Sequence, residues 1–138
     1  ERHFESYFNF VEALPLAYFH VFPYSVRAGT TAAKFSDRVK PADIKRRAAA
    51  MRTLGETKRI RFATRFNRTK LKVLLEERGA DGRLTGYSRN YVRVLTNGPD
   101  ELTNHEVEVE ASTVEGAQLG GEIVRPGAGD TAAAGRAS

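Results

Sequence analysis

A chain of 138 residues with 41% hydrophobic content can fill one well-cored domain, or one domain and part of another, and is too short for two complete ones. It contains no cysteine, which excludes disulfides, thiolate metal sites, iron-sulfur ligation and a cysteine nucleophile within it. The net charge of +5 favours an anionic partner, because clustered Lys and Arg displace counterions condensed on a phosphate backbone; a solvated basic surface is the plainer alternative.

The charge is polarised along the chain. Arg38 to Lys72 holds 13 Lys or Arg against Asp43 and Glu56, whereas Asp100 to Glu122 holds seven acids and no Lys or Arg. No apolar run reaches the roughly 20 residues that cross a bilayer, and the N-terminus has no signal-peptide pattern, so a cytoplasmic location is expected. The chain opens at Glu1 without an initiator Met, inside an expected helix, and further sequence upstream is therefore expected.

Phe4, Phe8 and Val11, widened by Tyr7, Phe10 and Leu14, form an apolar stripe at helical spacing, and a helix is predicted over residues 2–13 with Pro15 stopping it. Leu16 to Tyr24 is rich in aromatic and β-branched residues and predicts a buried strand, giving one unfinished helix-strand unit. Ser25 to Lys40 reads as a loop. Pro41 and Asp43 then suit a helix start, and Ile44, Ala48, Met51, Leu54, Phe62 and Phe66 trace an apolar face along one long basic helix, weakened at Gly55.

From Thr69 the period becomes two. Leu71, Val73 and Leu75 alternate with Lys70, Lys72 and Leu74, Gly79-Ala80-Asp81-Gly82 supplies a turn, and Leu84 to Leu95 resumes as strand. Glu106 to Ala111 alternates with Val107 and Val109 inward, and Gln118 to Val124 is a last short strand. Four or five short strands in this span predict a small closed antiparallel β-barrel of the OB-like kind, in an α+β chain. Residues 126–138, rich in Gly and Ala, are expected to form a disordered tail.

Two segments carry a family resemblance. His20-Val21-Phe22-Pro23-Tyr24-Ser25-Val26-Arg27-Ala28-Gly29-Thr30 resembles the last barrel strand and exit loop of radical-SAM tRNA methylthiotransferases, and Leu84-Thr85-Gly86-Tyr87-Ser88-Arg89-Asn90-Tyr91-Val92-Arg93-Val94 resembles the strand signature of their RNA-binding TRAM module. The wording of the first looks most like the branch that methylthiolates threonylcarbamoyladenosine beside the tRNA anticodon. The resemblance implies a division into 1–36, the C-terminal remnant of the radical-SAM barrel, 37–66, a basic connecting helix, and 67–125, the TRAM barrel. It implies tRNA, gripped by its anticodon arm, as partner. It also implies two [4Fe-4S] clusters and S-adenosylmethionine in the full-length enzyme, none bound by this chain, which would be inactive alone. The chain departs from the family's pattern at Val26 and Ala28, where prolines are common, at Asn67, and at His105.

Ser25, Arg27 and Thr30 would then lie near substrate or cofactor at the end of a barrel strand; Arg27 paired with an acid and Thr30 capping a turn is the alternative. His20 reads as a core histidine rather than a base. For RNA, Lys70, Lys72, Tyr87, Arg89, Asn90, Tyr91 and Arg93 interleave cations with flat rings, and each stacked base contributes about 1 to 3 kcal/mol. One of the two tyrosines is expected in the core, and Asn90 at a bulge between bent strands or on a base edge. Arg65 and Arg68 extend a helix cluster of Lys45, Arg46, Arg47, Arg52, Lys58, Arg59 and Arg61, read as phosphate contacts or as a solvated face. Glu106, Glu108 and Glu110 share one outward strand face, ill suited to phosphate. A stand-alone RNA-binding module and a protein-interaction domain using that acidic strand are the competing functions. Exposed Phe4, Phe8, Phe19 and Phe22 would promote association of an isolated piece.

Overall fold

The computed structural model describes residues 1–124, which divide into two compact units, Glu1–Arg61 and Phe62 onward. The expected tail at 126–138, and Arg125, lie outside the described residues.

In the first unit, α1 (Arg2–Ala13) ends at Leu14, whose amide still donates to the Phe10 carbonyl before Pro15 makes continuation impossible. Then α2 (Pro41–Thr64) begins with Pro at its first position and Asp43 in its first turn, where a fixed φ and a negative charge suit the exposed amides. It runs through Gly55 without a break. Val11 of α1 packs with Met51 and Leu54 of α2, and Phe4, Phe8, Phe19 and Val21 close around them. Lys58, buried, donates from Nζ to the Glu12 and Leu14 carbonyls at 2.8 Å each, satisfying acceptors that the end of α1 leaves open.

The strand expected over Leu16 to Tyr24 does not form. The segment keeps a strand's alternation, with Phe19 and Val21 half-buried and Tyr18, His20 and Phe22 exposed, but it has no ladder because, among the described residues, the first unit holds no strand to accept its hydrogen bonds. The expected helix-strand unit is therefore present only as α1 and an extended segment. His20 lies on the open side between Tyr18 and Phe22, with ring centroids 5.5 and 6.2 Å away, and is not a core residue.

In the second unit five strands close into a barrel in the order β1-β2-β3-β5-β4: β1 (Lys70–Arg78), β2 (Leu84–Ser88), β3 (Arg93–Thr96), β4 (Glu106–Glu115) and β5 (Gln118–Ile123). This is the expected OB-like closure. It is not wholly antiparallel, since β3 and β5 run parallel, Val94 opposite Leu119. Five strands in a ring cannot all alternate in direction, so one neighbouring pair must run the same way. The stretch Leu84 to Leu95, expected as one strand, is two, folded back at residues 89–92.

Val73, Leu75, Leu84, Val94, Val109, Ala111 and Leu119 fill the barrel, and Ala63, Phe62 and Phe66 at the end of α2 cover it. The barrel coils tightly enough at β2 that a Cβ on Gly86 would overlap the Leu74 carbonyl.

Candidate nucleic-acid interface

Strand registry assembles the barrel's charged side. Because β1 pairs with β4, Lys70 stands opposite Glu110, Lys72 opposite Glu108 and Leu74 opposite Glu106. Leu74 also faces Tyr87 on β2, and Tyr87 faces Arg93 on β3, so one row of outward side chains runs Glu106, Leu74, Tyr87, Arg93 across four strands. The turn at residues 89–92 hangs over the same side, with the Arg89 amide donating to the Lys72 carbonyl at 3.2 Å. Lys70, Lys72, Tyr87, Arg89, Asn90 and Tyr91 are thus brought together, with Arg93 at their edge.

The acidic face of Glu106, Glu108 and Glu110, expected to be ill suited to phosphate, lies beside the basic residues of β1 and the turn at 89–92. Arg89 donates from Nε and Nη2 to the two carboxylate oxygens of Glu106 at 2.9 and 2.8 Å, and Lys70 lies 3.8 Å from Glu108. The Arg89 hydrogen bonds hold the Glu106 carboxyl below its ordinary range, with the charges of Arg89 and Lys72 adding to the effect. Three cations and three carboxylates therefore share this face. These pairs are solvent-exposed and individually weak, so a polyanion can compete for the arginine and lysines. The sequence supplied the residue types, Lys-x-Lys and Glu-x-Glu-x-Glu, but not the neighbouring of β1 and β4 that sets them side by side.

Neither tyrosine belongs to the core. Tyr87 is 37% exposed and Tyr91 82% exposed, because Tyr87 takes the outward phase of β2 and Tyr91 sits in the turn. Asn90 lies in that turn and not at a bulge; its side-chain oxygen accepts from the buried Ser88 hydroxyl. Arg93 is held against the barrel wall, donating to Thr85 Oγ1 at 3.0 Å and lying 3.5 Å from Glu77, with its Nε buried and unpaired. Leu74, an exposed apolar residue within the row, was not singled out by sequence reasoning although the strand's phase places it there.

Beyond the end of α2, Arg65 and Arg68 are exposed, and neither guanidinium forms an ion pair among the described residues. Arg68 adopts φ 62° and its amide donates to Ala111, fixing the entry into β1. Part of the helix cluster is committed elsewhere in the first unit. Lys58 caps α1 from within, and Arg46 and Arg47 bind the Glu1 carboxylate at 2.7 and 2.9 Å, which lowers its pKa to about 2. Arg47 also lies 5.4 Å from the Phe4 ring centroid.

Ser25, Arg27 and Thr30 are exposed in the first unit. Thr30 caps the short 3-10 turn Thr31–Lys34, accepting from the Ala33 amide and donating to the Arg27 carbonyl. The Arg27 guanidinium pairs with no acid among the described residues. An open apolar groove of about 550 Å³ runs beside this segment, between Phe22, Tyr24, Val39 and Ile44. Phe22 is 86% exposed as expected, but Phe4, Phe8 and Phe19 are half-buried against the α1–α2 core. Among the described residues no group of three or more His, Asp or Glu is placed to hold a metal ion, and no helix is long and apolar enough to cross a membrane.

No family model matches the chain. Individual proteins do. The chain is 27% identical over 114 residues to the threonylcarbamoyladenosine tRNA methylthiotransferase MtaB of Bacillus subtilis (strain 168), covering 80% of this chain and 25% of that protein. It is 28% identical over 102 residues to the MtaB of Aquifex aeolicus (strain VF5), covering 74% and 24%. It is 31% identical over 104 residues to the tRNA-2-methylthio-N(6)-dimethylallyladenosine synthase of Aliarcobacter butzleri (strain RM4018), covering 75% and 24%. The chain thus spans about a quarter of the length of the curated relatives it matches. The resemblance read from the sequence holds for the tRNA methylthiotransferases, across relatives named for either modified adenosine.

Proposed function

We propose that this chain, whose similarity lies with the tRNA methylthiotransferases, supplies the tRNA-holding C-terminal portion of such an enzyme. In this reading residues 67–125 form a TRAM barrel that grips the anticodon arm in the cytoplasm. Residues 37–66 are the connecting helix, and residues 1–36 are the end of a radical-SAM barrel whose exit loop brings Ser25, Arg27 and Thr30 near the substrate. The reaction assigned to the whole enzyme is methylthiolation of N6-threonylcarbamoyladenosine next to the anticodon.

The observation that carries the reading is the gathering of Lys70, Lys72, Arg89, Asn90, Tyr87 and Tyr91 on one side of a closed OB-like barrel. Cations meet the phosphates of folded RNA and flat rings meet its unpaired bases. Arg65 and Arg68 add charge where β1 begins, and Arg93 stiffens the row. The iron-sulfur clusters and S-adenosylmethionine of this chemistry call for cysteine ligands, and the chain has none. They belong to the remainder of the enzyme, and this chain contributes binding and no catalysis.

A second reading, a stand-alone RNA-binding module, is favoured by one feature: the barrel closes on itself with its own buried core. Both readings require RNA binding, so the first test is tRNA affinity as a function of salt. Binding should weaken as salt rises, and reversing Lys70, Lys72, Arg89 and Arg93 together should abolish it. Unchanged affinity in that variant, with the barrel still folded, would remove the proposed face. Whether the reading frame upstream encodes a Cys-x-x-x-Cys-x-x-Cys motif separates the enzyme from the free-standing module.

A further inference from the structure

The turn joining β2 to β3 carries a residue whose presence the fold does not account for. The Tyr91 amide donates to the Ser88 carbonyl at 2.8 Å and the Ser88 amide to the Val92 carbonyl at 2.9 Å, closing a three-residue loop. Such loops end in a residue with left-handed backbone, a position that favours glycine because a side chain crowds the following carbonyl. Here that residue is Tyr91, at φ 62°.

The ring gains nothing from the protein in return. It is 82% exposed, and among the described residues it makes neither a ring contact nor a hydrogen bond. The residues around it are fixed. The buried Ser88 hydroxyl accepts from the Val92 amide at 3.1 Å and donates to the Asn90 side chain, Val92 is buried, and Arg89 is bound by Glu106. An aromatic side chain is therefore displayed on a rigid turn, at some cost in backbone strain, beside Arg89, Lys72 and Tyr87. Side chains kept in a disfavoured backbone conformation, without packing to justify them, cluster where a ligand is met.

We propose that Tyr91 is a base-stacking residue, taking the face of one unpaired nucleobase while the neighbouring cations meet the adjoining phosphates. This rests on the RNA-holding reading of the barrel and adds to it a preference for unpaired RNA, since bases inside a duplex offer no free face. It also separates stability from function, because the residue best for the turn is not the residue best for the ligand.

The test uses the full chain and three variants, Tyr91→Gly, Tyr91→Asn and Tyr91→Phe. Each is titrated with a labelled RNA hairpin bearing an unpaired loop and with a fully paired RNA of the same length, and each is unfolded in urea. Glycine and asparagine both accept the left-handed turn, so both variants should unfold at a urea midpoint equal to or above that of the unmodified chain. Both should bind the hairpin about 5- to 150-fold more weakly, with little change for the duplex. Tyr91→Phe should bind as the unmodified chain does. Hairpin affinity retained in both ring-less variants would overturn the assignment of Tyr91 and leave the RNA reading standing. A lower urea midpoint in both would make the ring structural and overturn it as well. If the unmodified chain binds neither RNA while folded, the RNA reading itself falls.

Discussion

Arg89 and Glu106 form a two-pronged ion pair that ties the β2–β3 turn to the first residue of β4, 17 positions away in sequence. Both partners are exposed, so the pair is a weak tie and a competitor for any phosphate that approaches Arg89. Glu106→Gln should leave the unfolding midpoint nearly unchanged. It should tighten tRNA binding and steepen the slope of log K against log salt by about 0.7, the value for one further cation on single-stranded RNA. Titrations at several salt concentrations check this.

The barrel should weaken in acid. Glu115 is held below its ordinary range by hydrogen bonds from Arg83, which also binds Asp81 in the same cluster. A carboxylate whose folded pKa is depressed contributes stability that is complete above its unfolded value, about 4.3, and is lost as pH falls through the lower folded value. Urea unfolding at pH 6 and pH 3 should therefore show a drop, and Glu115→Gln should reduce the size of that drop without reversing it.

Two glycines should respond oppositely to alanine. On Gly55, within α2, a Cβ would meet the Phe19 ring at 3.5 Å, an ordinary contact. Gly55→Ala should stabilise its unit by about 0.5 to 1 kcal/mol through helix propensity alone. On Gly86 the Cβ would overlap the Leu74 carbonyl and crowd Leu75, so Gly86→Ala should cost about 4 kcal/mol or more. Thermal unfolding of both variants decides the contrast.

Lys58 should prove a structural residue rather than a contact for RNA. Its ammonium holds the Glu12 and Leu14 carbonyls at the end of α1. Lys58→Met keeps the helix propensity and the stem, leaves those acceptors unmet and should cost about 2 kcal/mol. Hydrogen exchange should quicken in the last turn of α1, while tRNA affinity stays the same.

The barrel was legible because its strands have one wet face. Val73, Leu75, Val107 and Val109 alternate with charged residues, and that period survives folding unchanged. Leu16 to Tyr24 misled because its composition describes what a strand needs and not whether a partner strand exists. The segment kept the alternation and lost the ladder. Leu84 to Leu95 read as one strand because Arg89-Asn90-Tyr91 contains no glycine or proline to mark a turn, the left-handed position being filled by a tyrosine.

At the candidate site, residue types could be read but pairing could not. Nothing local in Glu106-Val107-Glu108 says that it lies against Lys70-Leu71-Lys72, since that follows from which strand β4 chooses as neighbour. Sequence reasoning accordingly read the acidic strand as a face ill suited to phosphate without finding its basic neighbours. It likewise overcounted free cations along α2, where Arg46, Arg47 and Lys58 are spoken for by groups more than 40 residues away.

The parallel contact between β3 and β5 has a bearing on how the molecule comes into being. Arg93–Thr96 finds its second neighbour only in Gln118–Ile123, with the whole of β4 lying between them in the chain. During synthesis the earlier staves emerge with an open seam beside β3 that only β5 can seal. Until Ile123 has left the ribosome, the raw edge of β3 is free to pair with another nascent copy, so premature termination before that point should yield aggregates and not a smaller barrel.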